Sequence, residues 1–222
     1  IVDPSDCFSV NVSGTANVII EALKNKNRKL VFASSCAVYP LNPKKPLSED
    51  MATIGETPYA MSKVVSENLM KFYHRTMNLN YVSLRCFNIY GTRQRIDSPY
   101  AAVVPKFIDA AKKNKELLLF GGGNQTRDFI HIDDIIDAYI LASKSSEVGE
   151  FNVGTSSEVK IKDLAKIIIK IGASGSFTKN MPKKNGDASK SVSNIEKIKS
   201  KFGFSPNITL DDGINMIYKQ MK

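Results

Sequence analysis

The 222-residue chain has no tryptophan, only three cysteines and only two histidines, and each scarcity removes a class of chemistry. Cys7, Cys36 and Cys86 are odd in number, widely spaced and form no CxxC pair, so neither a disulfide framework nor a structural zinc site is expected. His74 and His131 leave little for a metal centre or a Ser-His-Asp triad. No apolar run approaches the roughly 20 residues needed to cross a bilayer, and no charged-then-apolar leader precedes the first strand. The expectation is a protein without membrane contact, in a reducing cytoplasm.

What is present is enough for a core. With 42% hydrophobic and 24% charged residues the chain is neither disordered nor fibrous, and one domain, or one and a half, is expected. The formal charge of +9 comes from lysines spread along the chain, with clusters at 24–29, 112–115, 179–184 and 197–201. These clusters have no aromatic interleaving and match no nucleic-acid motif, so a solvated basic surface is expected and nucleic acid is not. A positive field also attracts a diphosphate.

Helical periodicity alternates with short β-rich runs. Helices are predicted from Phe8 to Lys24, Tyr59 to Met77, Val103 to Lys113, Asp133 to Ser143, Ile161 to Ile171, Asn194 to Phe202 and Leu210 to Gln220. Strands are predicted at Leu30–Ser34, Tyr81–Phe87, Leu117–Phe120 and Glu150–Val153. Such alternation means α/β with a parallel sheet. Gly121-Gly122-Gly123 follows a strand but precedes no suitable helix, so it is a poor dinucleotide fingerprint.

The chemistry concentrates at Pro58-Tyr59-Ala60-Met61-Ser62-Lys63, where a phenol and an ammonium four residues apart share one helix face. A cation beside a phenol favours the phenolate, so a group that titrates near pH ~10 is expected to become a base closer to neutrality. Upstream, the run from Lys29 to Ser35 reads as a buried strand ending in two hydroxyls, Ser34 and Ser35. Ligands of doubly wound sheets bind at that end of a strand.

Four motifs in order, Ser34-Ser35 with Tyr39, Tyr59 with Lys63, the run from Leu84 to Gly91, and the run from Thr126 to Asp134, resemble the extended short-chain dehydrogenase/reductase family. Among its members the chain is most similar to nucleotide-sugar epimerases of the UDP-glucose 4-epimerase type. The resemblance runs from Asn11 to nearly the C-terminus and does not include the family's leading Gly-rich loop. It implies a doubly wound, Rossmann-like parallel sheet, incomplete at the N-terminus, with a smaller C-terminal substrate-binding domain. Residues 1–92, with 124–156 returning to them, would form the NAD-binding part, and 93–123 with 157–222 the nucleotide-sugar-binding part.

By the same resemblance Tyr59 would be the catalytic base, Lys63 would hold the nicotinamide ribose, and Ser35 would bond the reacting oxygen. NAD would be the cofactor, with Asn11, Ser34, Tyr59, Lys63 and Phe87 near it. The UDP-sugar would meet Ser35, Asn88, Phe120, Arg127, Lys184, Asp187 and Ser191. Core packing is the alternative for Phe87 and Phe120, and an ion pair with Asp128 the alternative for Arg127. A homodimer through the helices 8–24 and 59–77 is also implied.

Departures from the pattern carry expectations of their own. Lys184 stands where the family has a forked arginine, which turns a bidentate contact into a point charge. Ser191 is small where the sugar's 2-substituent is restricted, which leaves room for an N-acetyl group. Dehydratases and decarboxylases of the family carry an acid just after the Ser/Thr, and here Cys36 and Ala37 supply none. Cys36 resembles the reactive cysteine of GDP-fucose synthases, but the partner histidine would fall near Ala102, so a small buried filler is expected. The rival readings are an NADP-linked keto-sugar reductase or epimerase and a non-catalytic binding subunit.

Overall fold

The structure is a computed structural model that describes residues 3–25, 29–41, 43, 46–96, 102–183 and 188–220. Its centre is a three-stranded parallel sheet in the order β1 (Lys29–Ser35), β2 (Asn80–Cys86), β7 (Gly149–Val153). The central strand β2 is buried on both faces and uses them differently. Val82, Leu84 and Cys86 join Val31, Phe151 and Val153 under helix α5 (Ile132–Lys144). Tyr81 packs the other way with Leu30 and Phe32 against Ile19 of α2 (Gly14–Lys24) and Met70 of α3 (Pro58–Met77). This is the period-two alternation of a strand covered on both sides. Fully buried side chains of this size contribute roughly 1.5–3 kcal/mol each.

Local signals set the ends of α3. Thr57 Oγ1 accepts from Ala60 N at 3.1 Å, Pro58 occupies the first turn, and Asn78 closes the helix in the left-handed region with φ 55°. Gly55 takes φ +66° just ahead, where a Cβ would stand 2.8 Å from Met61 Cα, so the loop enters the helix closer than any side chain allows.

The first helix starts earlier than the periodicity predicts. α1 (Pro4–Phe8), capped by Asp3, runs into α2 through a π-helical turn at Ser9–Ser13. The Asn11 carbonyl in that turn accepts hydroxyl protons from Thr15 at 2.5 Å and Ser66 at 3.1 Å, an arrangement that recruits the widened turn to α3.

A second core holds α4 (Val103–Lys112), β4 (Leu117–Phe120), α6 (Ile161–Ile171) and α8 (Leu210–Gln220) around Phe107, Ile108, Leu117, Leu164, Ile168 and Ile214. Short pairings surround it: β3 (Asn88–Tyr90) with β6 (Phe129–His131), β5 (Thr126–Arg127) with β8 (Val159–Lys160) and β10 (Lys190–Ser191), and β4 with β9 (Thr178–Met181). The remaining helix, α7 (Glu196–Phe202), stacks Phe202 on Phe151 of β7 at a centroid distance of 4.5 Å.

Candidate active site

The C-terminal end of β1 brings Ser35, Tyr59 and Lys63 together. Tyr59 lies in the first turn of α3, near enough to Ser35 for the serine to favour its phenolate, and Ser35 Oγ accepts from Ala37 N at 3.2 Å. Lys63, one turn on, sends Nζ to the Ala33 carbonyl at 2.8 Å and lies 4.8 Å from the centroid of the Phe32 ring and 5.7 Å from that of Tyr59.

The electrostatics differ from the expectation of an acidified phenol. Burial of the phenolic end pushes Tyr59 above the ordinary tyrosine value, and Ser35 pulls the other way. Burial likewise lowers Lys63. The ammonium is drawn to the Ala33 carbonyl, so the serine rather than the lysine is the group that favours the phenolate here.

The remaining sequence-derived positions separate into three groups. Asn88, Phe120 and Arg127 line one cavity of about 810 Å³ between α4, β4 and β5. Asn88 in its lining follows Cys86, the register partner of Ser35, by two residues. Asn88 Nδ2 is held by the Asp128 carbonyl at 2.9 Å, and Arg127 is anchored on the carbonyls of Thr126 and Ala188 at 2.7 and 2.8 Å. Ser191, 8% exposed, has its hydroxyl 4.0 Å from Cys36 Sγ and pairs in register with Arg127.

The second group points elsewhere. The Ser34 hydroxyl donates to Glu67 Oε1 at 2.6 Å, inside the strand-to-helix packing rather than in the crevice. Phe87 is 2% exposed in a cluster with Val38, Tyr39, Leu47 and Val64, so its ring sits in core packing. Asn11 Nδ2 donates to Ser62 Oγ at 3.0 Å and ties the π turn to α3. Lys184 and Asp187, the third group, lie outside the described residues.

Cys36 is partly buried, and desolvation pushes its thiol up to about 11, which leaves little thiolate near neutrality. Two residues were missed by sequence reasoning. The Asp128 carboxylate accepts from the backbone and side chains of Thr155 and Ser193 and from Ser156 N, and so joins β5, the turn after β7 and the strand end at Ser193. Glu67 forms a buried ion pair with Arg85 at 2.7 Å. Its one legible signal is its place, four residues after Lys63 on the face that carries Tyr59.

Among the described residues no cluster of three potential metal ligands occurs, and no helix is long and apolar enough to cross a membrane. The side chains at the β1 end fit the nicotinamide end of a dinucleotide. An ammonium with three donors has one committed to Ala33, leaving others for ribose hydroxyls, and a phenol and a serine hydroxyl stand beside it.

Comparison with known proteins gives this geometry a context. The profile of the NAD dependent epimerase/dehydratase family matches residues 1–154. A UDP-glucose 4-epimerase of Mycolicibacterium smegmatis is 32% identical over 216 residues, covering 96% of this chain and 68% of that protein. A UDP-N-acetyl-alpha-D-glucosaminuronate decarboxylase of Bacillus cytotoxicus is 34% identical over 222 residues, covering 94% and 68%. The solved UDP-N-acetylglucosamine 4-epimerase of Methanobrevibacter ruminantium M1, in complex with UDP-N-acetylmuramic acid, superposes with a TM-score of 0.92 at 34% identity, over 95% of this chain and 68% of that one.

Proposed function

The chain belongs to the NAD dependent epimerase/dehydratase family, and from that premise we propose that it is a 4-epimerase of UDP-sugars acting through a 4-keto sugar. One observation carries the reading: Ser35, at the crevice end of β1, stands close enough to the Tyr59 phenol to favour its ionisation, with the Lys63 ammonium one turn away, 5.7 Å from the Tyr59 ring centroid. That is a proton acceptor and a hydroxyl donor aimed at one oxygen, beside an ammonium free to hold a diol.

NAD, when bound, supplies the reversible hydride acceptor for C4. In the proposal Tyr59 Oη takes the proton from the sugar 4-hydroxyl, while Ser35 Oγ, whose one proton supports the phenolate in the free site, turns it to the sugar oxygen as Tyr59 becomes protonated. Lys63 Nζ orients the ribose, and the phenolate is favoured by Ser35. The keto sugar then presents its other face, and Tyr59 Oη returns the proton to the 4-oxygen, so no net oxidation results.

The cavity lined by Asn88, Phe120 and Arg127 is assigned to the nucleotide diphosphate, for which a forked guanidinium is suited. The sheet of β1, β2 and β7 is assigned to the cofactor and the core of α4, β4, α6 and α8 to the nucleotide sugar, although Ile195, Ile198 and Phe204 pack with the sheet and Tyr90 and Phe129 with the second core. Cys36 and Ala37 place no carboxyl beside Ser35, which favours epimerisation over elimination. The small Ser191 leaves room for a 2-acetamido group, so N-acetylated UDP-sugars are included. Val10, Val18, Met61 and Phe72, exposed on adjacent helices, are assigned to a homodimer interface.

The test is incubation of the full-length protein with NAD and UDP-galactose and no added reductant. UDP-glucose must form without accumulation of NADH. Formation of a dehydrated or decarboxylated product instead would refute the epimerase assignment.

A further inference from the structure

One row of polar side chains crosses the sheet a single residue short of its crevice end. Ser34 of β1, Arg85 of β2 and Asn152 of β7 are register partners. Glu67 Oε1 accepts from Ser34 Oγ at 2.6 Å and Arg85 Nε at 2.9 Å, and Oε2 accepts from Arg85 Nη2 at 2.7 Å. Tyr39 Oη closes the row, accepting from Arg85 Nη1 at 2.9 Å and donating to Asn152 Oδ1 at 2.8 Å. Arg85 and Glu67 are each 1% exposed.

A buried ion pair is a poor device for stability, because the desolvation cost roughly cancels the attraction and apolar replacements often match it. Its geometry does have a specific consequence. Glu67 lies two helical turns beyond Tyr59 and one beyond Lys63, so three directional bonds to Glu67 fix the rotation of α3 about its axis. One of those bonds comes from Ser34, the residue before Ser35. The same carboxylate therefore clamps the strand that carries Ser35 and the helix that carries Tyr59.

We infer that Glu67, with Arg85 and Ser34, is a positioning residue that sets the placement of Ser35 against the Tyr59 phenol. This rests on the epimerase reading for its effect on turnover, but not for its effect on the phenol. A loosened clamp moves Ser35 away from the phenol and weakens the influence that opposes burial, so the Tyr59 midpoint must rise.

The experiment compares the full-length protein with Ser34→Ala and with the apolar pair Glu67→Leu/Arg85→Met. The Tyr59 ionisation midpoint is followed by NMR of ¹³Cζ-tyrosine, assigned by the resonance lost in Tyr59→Phe, alongside thermal unfolding and kcat and KM for UDP-galactose. In both variants the phenol midpoint is expected to rise by about half a pH unit or more. Their kcat is expected to fall about tenfold with KM within about twofold, and the thermal midpoint to stay within about 5 °C. A phenol midpoint unmoved in both variants overturns the inference, whatever happens to stability, and so does an unchanged kcat against an active wild type. If the apolar pair does not fold, Ser34→Ala decides alone. If the wild type converts no UDP-galactose, the epimerase reading fails and the phenol midpoint alone decides the positioning role.

Discussion

Replacing Ser35 by alanine isolates the group that favours the Tyr59 phenolate. The substitution removes one hydroxyl at the end of β1, leaves the strand pairing of Ser35 with Cys86 in place, and costs the cap on Ala37 N. A hydrogen bond to a charged oxygen contributes about 1.5–3 kcal/mol. Tyr59 is 46% exposed, so water partly replaces the lost donor and the lower end of that range applies, about 1.5 kcal/mol. That corresponds to roughly a tenfold loss in kcat, with KM nearly constant because the bond matters most when the oxygen carries charge. The pH–rate profile supplies the second reading. The Tyr59 midpoint is already raised by burial, and losing the Ser35 influence that opposes burial moves the ascending limb to higher pH, so the deficit should shrink as pH rises. Steady-state kinetics on UDP-galactose across pH measures both. A kcat within twofold of wild type, or a deficit that does not depend on pH, would refute the role given to Ser35.

Two further outcomes follow from the surfaces around the site. Ser191→Tyr fills the space beside Cys36, so turnover of UDP-N-acetylgalactosamine should fall about tenfold or more while UDP-galactose is retained, since a steric misfit at one substituent costs about 1–3 kcal/mol; equal losses on both sugars, measured in parallel assays, would remove Ser191 from specificity. Sedimentation velocity should show a dimer at micromolar concentration and a monomer after Phe72→Glu, and a wild-type monomer would contradict the interface assigned to α2 and α3.

The long elements were legible because their patterns are local. β4, α6 and α8 fall on the predicted residues, and α3 begins one residue early because Pro58 occupies its first turn. The π turn at Ser9–Ser13 was not legible, since its cause is a pair of hydroxyls, one of them Ser66 on another helix. β5, β8 and β10 are two residues each and exist only through tertiary pairing, and β9 is a largely exposed polar run without strand periodicity. At the site, the Tyr59–Lys63 spacing and the Ser34-Ser35 pair were visible, but which serine faces the phenol depends on the side of β1 that α3 covers. Phe87 shows the same limit: an aromatic after a strand reads alike whether it walls a pocket or fills a core. Glu67 and Arg85 were invisible as a pair because register alone brings Ser34 opposite Arg85.

The account depends on a phenol taking and returning one sugar proton. Full-length protein supplied with NAD and UDP-galactose should form UDP-glucose, and Tyr59→Phe, with an unchanged circular dichroism spectrum, should form it about a hundredfold more slowly or less. Wild-type turnover by Tyr59→Phe would contradict the account directly.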